Sequence, residues 1–112
     1  MNRLAIKDQP GRYRLVELGQ IFYVEAEGDD SVVRTARAML YRHVEPLEEV
    51  EPRLPSPPFF RIHRSYIVNL NRVLEIRLRG ERDYEVNMDP PVNKVLPVSR
   101  DRYPELAELL GI

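Results

Sequence analysis

Apolar and polar residues alternate with a period of two over most of the chain, in short runs bounded by proline and glycine. Leu4 to Lys7 reads as a first strand, closed by Asp8-Gln9-Pro10-Gly11. Arg12 to Leu18 alternates again, with Tyr13 and Leu15 on one face and Arg12 and Arg14 on the other. Ile21 to Ala26 is more uniformly apolar, the pattern of a strand covered on both faces. Gly28-Asp29-Asp30-Ser31 signals a turn or loop. Ser31 to Ala36 and Ala38 to His43 follow as two further strands, and Phe59 to Ile62 as another.

The clearest hairpin joins Val73 to Arg79 with Asp83 to Met88 through Gly80-Glu81-Arg82. Leu74, Ile76 and Leu78 fall on one face of its first strand, and Tyr84, Val86 and Met88 on one face of its second. This connection pairs Arg79 with Asp83, Arg77 with Glu85, Leu78 with Tyr84 and Ile76 with Val86. Opposite charges on one face and apolar pairs on the other suit antiparallel pairing. Arg77 and Arg79 therefore read as sheet-surface partners of acids rather than as ligand contacts. Asp89-Pro90-Pro91 is a turn, and Lys94 to Val98 is the last strand.

Two stretches break the β pattern. Val44, Leu47, Val50 and Leu54 fall at helical spacing within a short mid-chain segment. Pro46 suits its first turn, and Pro52 shortens or bends it. Pro55-Ser56-Pro57-Pro58 blocks any continuation. Near the end, Asp101 to Leu110 predicts a terminal helix, with Leu106, Leu109 and Leu110 as its stripe and Gly111 as its stop. Ser99 or Asp101 would cap it. The fold class is mostly β: an antiparallel β-sheet domain with one short mid-domain helix and a short C-terminal helix.

Composition narrows the function classes. The 112 residues suit one domain, 1–112. No secretory signal and no membrane-spanning run of about 18 apolar residues is visible, so a cytoplasmic location is expected. Cysteine is absent, which excludes disulfides, thiolate metal sites and cysteine nucleophiles. With two histidines, no metal site is expected either.

The net charge of −1 hides a segregated distribution. Arginine supplies 15 of the 17 basic residues. Six arginines face two glutamates between Arg61 and Arg82, whereas Glu45 to Glu51 holds four glutamates. Solvated faces with cross-strand ion pairs account for much of this. Arginine is also the side chain for bidentate contacts to phosphate and guanine.

Signals for catalysis are thin. There is no Gly-rich phosphate loop and no nucleophile elbow, and the neighbouring His63 and Ser65 do not make a triad. No enzyme activity and no cofactor are expected. The unusual stretch is Phe60-Arg61-Ile62-His63-Arg64-Ser65-Tyr66-Ile67-Val68-Asn69-Leu70, where apolar residues frame a polar cluster. On an exposed turn, Arg64 and His63 would donate to phosphates and guanine edges, and Ser65 and Asn69 would make shorter contacts. The plain alternative makes His63 a core-edge histidine and Asn69 a turn cap. A second cluster, Ser99-Arg100-Asp101-Arg102, sits where the last strand meets the terminal helix.

The central stretch resembles the signature of the LytTR-type DNA-binding domain family, the output domain of bacterial response regulators. Ile21 to Asp29 resembles the family's upstream strand and loop, Leu47 to Leu54, with Pro55 after it, its single mid-domain helix, and Leu96-Pro97-Val98-Ser99-Arg100 its closing strand. The resemblance covers essentially the whole chain. It implies an elongated fold of about ten strands, no recognition helix, and loops that enter successive major grooves and bend the duplex. Many members of the family carry an N-terminal phospho-receiver domain; nothing before Leu4 resembles one, so a stand-alone regulator or a fragment of a longer one is expected. It also implies direct-repeat sites bound by two copies, with a homodimer on DNA. Carried onto this sequence, the DNA-binding positions are Asp30 and Ser31, His63 and Arg64, and Arg100 and Arg102. Arg100 is expected to read guanine most strongly, with Arg64 next. Ser65, Asn69 and Ser99 are expected to shape and brace the loops or to touch phosphates.

The expected function is sequence-specific binding of double-stranded DNA by a bacterial transcription regulator of a two-component system. Control would come from a regulatory protein partner or from self-association. Asp29 and Asp30 depart from the pattern by placing acid in a loop that the resemblance brings toward DNA. The rival reading is a protein-interaction module that uses the same basic face or a sheet edge.

Overall fold

The computed structural model describes residues 2–37 and 40–112. The chain is elongated, 47 × 25 × 23 Å, with ten strands and two short helices among the described residues. The strands are β1 (Arg3–Gln9), β2 (Arg12–Glu17), β3 (Ile21–Glu27), β4 (Asp30–Thr35), β5 (Leu40–His43), β6 (Phe59–His63), β7 (Tyr66–Asn69), β8 (Val73–Leu78), β9 (Tyr84–Met88) and β10 (Val95–Val98). The helices are α1 (Leu47–Val50) and α2 (Tyr103–Leu110). The expected strand from Ala38 begins at Leu40 in the description, because Ala38 and Met39 lie outside the described residues.

A five-stranded antiparallel sheet in the order β5-β4-β3-β7-β6 forms the middle. The β1–β2 hairpin and α1 cover one face, burying Leu4, Ile6, Val16, Leu47 and Val50 against Val24, Val33 and Ile67. The three-stranded sheet β10-β9-β8 and α2 cover the other, burying Val86, Met88, Leu96 and Leu106 against Phe22, Phe60 and Val68. The apolar run in β3 serves both faces, as its composition implies. Ile21 and Val24 belong to the first core, and Phe22 and Tyr23 to the second. A register shift between Ile21 and Tyr23 turns two successive side chains the same way.

The α1 segment stops where Pro52 requires. One α-helical turn gives way to a 3-10 turn over Glu51–Arg53, and Leu54 is already extended. Leu47, Val50 and Leu54 face the core, whereas Val44 stays exposed.

The β8–β9 register is the expected one: Ile76 opposes Val86, Arg77 opposes Glu85, and Leu78 opposes Tyr84. Arg79 N–H donates to the Asp83 carbonyl at 2.8 Å and closes the turn. Its expected apolar face is only partly used. Leu74 is the extra residue of a bulge between Val73 and Glu75 and turns outward. Leu78 lies beyond the cover of the layer beneath and is 59% exposed. The outer face of β2 likewise leaves Tyr13 and Leu15 exposed, opposite Lys7 and Ala5.

The terminal helix departs in two details. Its stripe narrows to Leu106, with Leu109 and Leu110 exposed. Neither Ser99 nor Asp101 caps it with a side chain. The N-cap falls at Arg102, and the Ser99 carbonyl instead accepts from Arg102 N–H and Tyr103 N–H, each at 3.1 Å. Gly111 ends the helix with a left-handed φ of 73°, as a glycine stop should.

Candidate nucleic-acid interface

The β6–β7 connection is the two-residue turn Arg64-Ser65, with His63 opposite Tyr66. Such a turn needs its carbonyls satisfied, and Arg61 does this from behind. The Arg61 side chain is 8% exposed. Its Nε donates to the His63 carbonyl at 2.9 Å, and Nη2 donates to the Arg64 carbonyl in a close contact. Nη1 pairs with Glu51 Oε1 at 2.8 Å, and Nη2 with Glu48 Oε1 at 3.3 Å. The guanidinium thus ties the His63 and Arg64 carbonyls to the acidic segment of Glu48 and Glu51. A hydrogen bond from its own backbone N–H and, after it, the Arg61 guanidinium hold the Glu48 carboxyl below its usual range.

Further bonds fix the turn. Ser65 N–H donates to His63 Nδ1 at 3.1 Å, which leaves Nε2 as the donor of the neutral imidazole. The half-buried His63 ring packs on Tyr66, centroids 5.6 Å apart. The Ser65 carbonyl accepts from Ala26 N–H at 2.9 Å, which joins the turn to the end of β3. Burial, then the Glu25 carboxylate, raises the Tyr66 phenol, so it remains a neutral hydrogen-bond donor.

The junction after β10 docks on the same place. Ser99 N–H donates to the Ile62 carbonyl at 2.8 Å, and Ser99 Oγ reaches that oxygen at 3.3 Å. The exposed Arg100 and Arg102 are thereby tied to the strand that leads into the exposed Arg64. Arg64, His63, Ser99 and Arg102 line one shallow cleft there. Among the described residues, the side chains of Arg64 and Arg102 make no ion pair. Arg100 Nη2 sits 3.6 Å from Asp83 Oδ1, with both side chains largely in solvent.

The β3–β4 turn, Gly28-Asp29, projects at this end through the Ala26–Ser65 bond. Gly28 supplies the positive φ of 61° that the tight turn needs. Asp29 is exposed and Asp30 half-buried.

The sequence-derived residues thus divide. His63, Arg64, Ser65, Ser99, Arg100 and Arg102 converge. Ser31 is fully buried, and its hydroxyl donates to the Glu45 carbonyl at 3.0 Å. Asn69 is also buried: Nδ2 donates to the Ile21 carbonyl at 3.0 Å, and Oδ1 accepts from Asn71 N–H at 3.0 Å. In this geometry both brace backbone and present no polar group to a ligand. Two features escaped the sequence reading. One is the clamp made by Arg61, whose only signal was a cation inside an apolar strand following four glutamates. The other is the β8–β9 tip, which the Asp83–Arg100 pair brings to a second cleft that shares His63 and Ser99 with the first.

A β layer whose arginine-bearing turns are tied together by backbone hydrogen bonds suits a β-type nucleic-acid-binding module. The comparisons with known proteins agree. The family profile of the LytTr DNA-binding domain matches residues 11–111. The solved LytTr DNA-binding domain of a Bacillus cereus response regulator superposes with a TM-score of 0.83 at 26% identity, covering 100% of this chain and 99% of that one. The sensory transduction protein LytT of Bacillus anthracis is 35% identical over 98 residues, 88% of this chain and 39% of its own. The transcriptional regulatory protein YpdB of Escherichia coli K12 is 32% identical over 109 residues, 96% of this chain and 42% of its own. This chain belongs to the LytTr DNA-binding domain family. It is thus a DNA-binding domain of the kind that transcriptional regulators carry, and it spans about two-fifths of the length of these two relatives.

Proposed function

We propose that this chain binds double-stranded DNA sequence-specifically as part of a bacterial transcription regulator, by inserting its turns into the major groove. The Ser99–Ile62 hydrogen bond carries this reading, because it gathers Arg64, Arg100 and Arg102 on one exposed end. Arg100 is the principal base reader, bidentate to guanine, and Arg64 the second. His63 supplies an Nε2–H donor, and Ser65 and Ser99 hold the two turns in register. The clamp at Arg61 keeps the Arg64 turn fixed before binding, which lowers the ordering cost on the duplex.

Bending of the duplex belongs to the same proposal, since it would let turns of one chain reach successive grooves. Bending costs on the order of 1–6 kcal/mol, so two copies sharing one deformed site favour each other. This supports direct repeats bound by two copies. Response-regulator control, a protein partner and a cytoplasmic setting belong to the same proposal. No helix among the described residues is long and apolar enough to cross a membrane.

Selection of bound duplexes from a random library tests the reading, followed by anisotropy on the enriched sequence at two salt concentrations. An enriched motif, above all a repeated half-site, supports it. Weak salt-sensitive retention without enrichment overturns it and moves the search to a protein partner.

A further inference from the structure

We propose that the tip of the β8–β9 hairpin is an additional DNA contact, with Arg82 and the neighbouring Arg79 holding backbone phosphates beside the base read by Arg100. The proposal rests on the DNA-binding reading above and adds an element that reading did not contain.

Four observations carry it. The tip is joined to the reading junction, because Asp83 Oδ1 lies 3.6 Å from Arg100 Nη2. A cleft beside that pair is lined by Arg79, Arg82, His63, Ser99 and Arg100. The hairpin is anchored there, since Tyr84 stacks on Tyr103 of α2 with ring centroids 3.6 Å apart and planes 10° from parallel. Finally, the acids around the tip, including Glu81, leave Arg82 without an ion pair among the described residues. Asp83 and Glu85 also line the cleft, but Glu85 already faces Arg77 at 3.2 Å and Arg79 at 3.7 Å. Asp83 is occupied by Arg100, whereas Arg82 is exposed and makes no ion pair among the described residues.

The ligand chemistry follows from the groove. The major groove is about 12 Å wide, so a side chain reaching base edges brings its neighbours against the flanking backbone. An unpaired, flexible guanidinium a few ångströms aside meets phosphate oxygens, not bases. The tip is suited to that role because it is bound loosely. Among the described residues, the Arg79–Asp83 backbone bond and ion pairs whose arginines are largely in solvent hold it, which lets it follow a bent backbone. Asp83 exchanges its hold on Arg100 for solvent as Arg100 turns to guanine.

The test uses the whole chain and two duplexes, the enriched sequence and a scrambled one, each titrated across a salt series. Arg82→Ala is expected to weaken both duplexes alike, on the order of three- to tenfold, and to make the log–log salt slope shallower by about one. Arg79→Ala/Arg82→Ala should extend both effects without changing the preferred sequence. Circular dichroism controls for folding, and Arg82→Lys, which keeps the charge, should restore most of the loss. Unchanged affinity and slope on duplexes that the parent chain binds would overturn the tip contact alone. A loss confined to the enriched duplex would also overturn it, by moving Arg82 to a base edge. Failure of the parent chain to bind either duplex would remove the DNA reading and this proposal together.

Discussion

The two turns that meet at the basic end are held in opposite ways. The Arg64-Ser65 turn is fixed from three sides: Arg61 on its carbonyls, His63 on Ser65 N–H, and Ala26 on the Ser65 carbonyl. The Gly80–Asp83 tip has one backbone bond across its base and ion pairs in which Arg79, Asp83 and Arg100 are largely in solvent. The difference matches what each must recognise. A base edge presents donors and acceptors at set positions, so its reader gains from being in place beforehand. A phosphate chain is repetitive and deformable, so a tethered guanidinium suffices. The cost of rigidity is the burial of a cation, which the acidic face of α1 offsets.

Breaking the clamp should have the largest effect. Arg61→Ala removes charge-assisted bonds to two carboxylates and two carbonyls, and should cost about 2–3 kcal/mol of folding stability by urea unfolding. It should also weaken DNA binding beyond what the charge loss explains. A variant as stable as the parent would mean that the turn holds its own shape.

Next in size is the reader itself. Arg100→Ala should cost roughly 1–3 kcal/mol in binding and relax preference at one base pair, measured by competition among single-base variants of the enriched site. Loss without relaxation would reassign Arg100 to the backbone.

A smaller effect belongs to Glu48. Its carboxyl is held below the usual range, so its contribution is complete above the ordinary carboxylate pKa and lost as pH falls through the lowered value. The stability difference between Glu48→Gln and the parent should therefore be flat from pH 6 to 8 and vanish in acid. A difference that grows on acidification would contradict the Arg61–Glu48 pairing.

The smallest effect is expected at Arg77. It is paired with Glu75 at 3.6 Å and Glu85 at 3.2 Å and lies outside the basic cleft. Arg77→Ala should leave DNA affinity nearly unchanged in the same anisotropy assay. A large loss would extend the phosphate-contacting region along β8, erasing the distinction between tip and sheet face.

How far the sequence was legible follows the range of the interactions. The β8–β9 register could be read because its charge and apolar pairs lie across one short turn. The end of α1 could be read because Pro52 acts on its own backbone. By contrast, the exposure of Leu74 depends on a bulge, and that of Leu78 on how far the layer beneath extends. Neither is written in alternation. Ser31 read as a loop residue able to reach DNA. It is buried because β5 and the Glu45 carbonyl close over it, a contact across 14 positions. The Arg61 clamp joins a strand to residues 10 and 13 positions earlier, so it exists only once α1 lies across β6. Arg64, Arg100 and Arg102 were singled out singly, but their adjacency needed the Ser99–Ile62 bond.

The shared ownership of β3 has a mechanical consequence. Because Ile21 and Val24 fill one core while Phe22 and Tyr23 fill the other, neither half can melt without stripping a face of the same strand. Loosening of the outlying β1–β2 hairpin is therefore transmitted to the strand whose far end carries the Ala26–Ser65 bond. Amide protons of β3 should be the last to exchange with solvent, through whole-domain opening rather than local fraying.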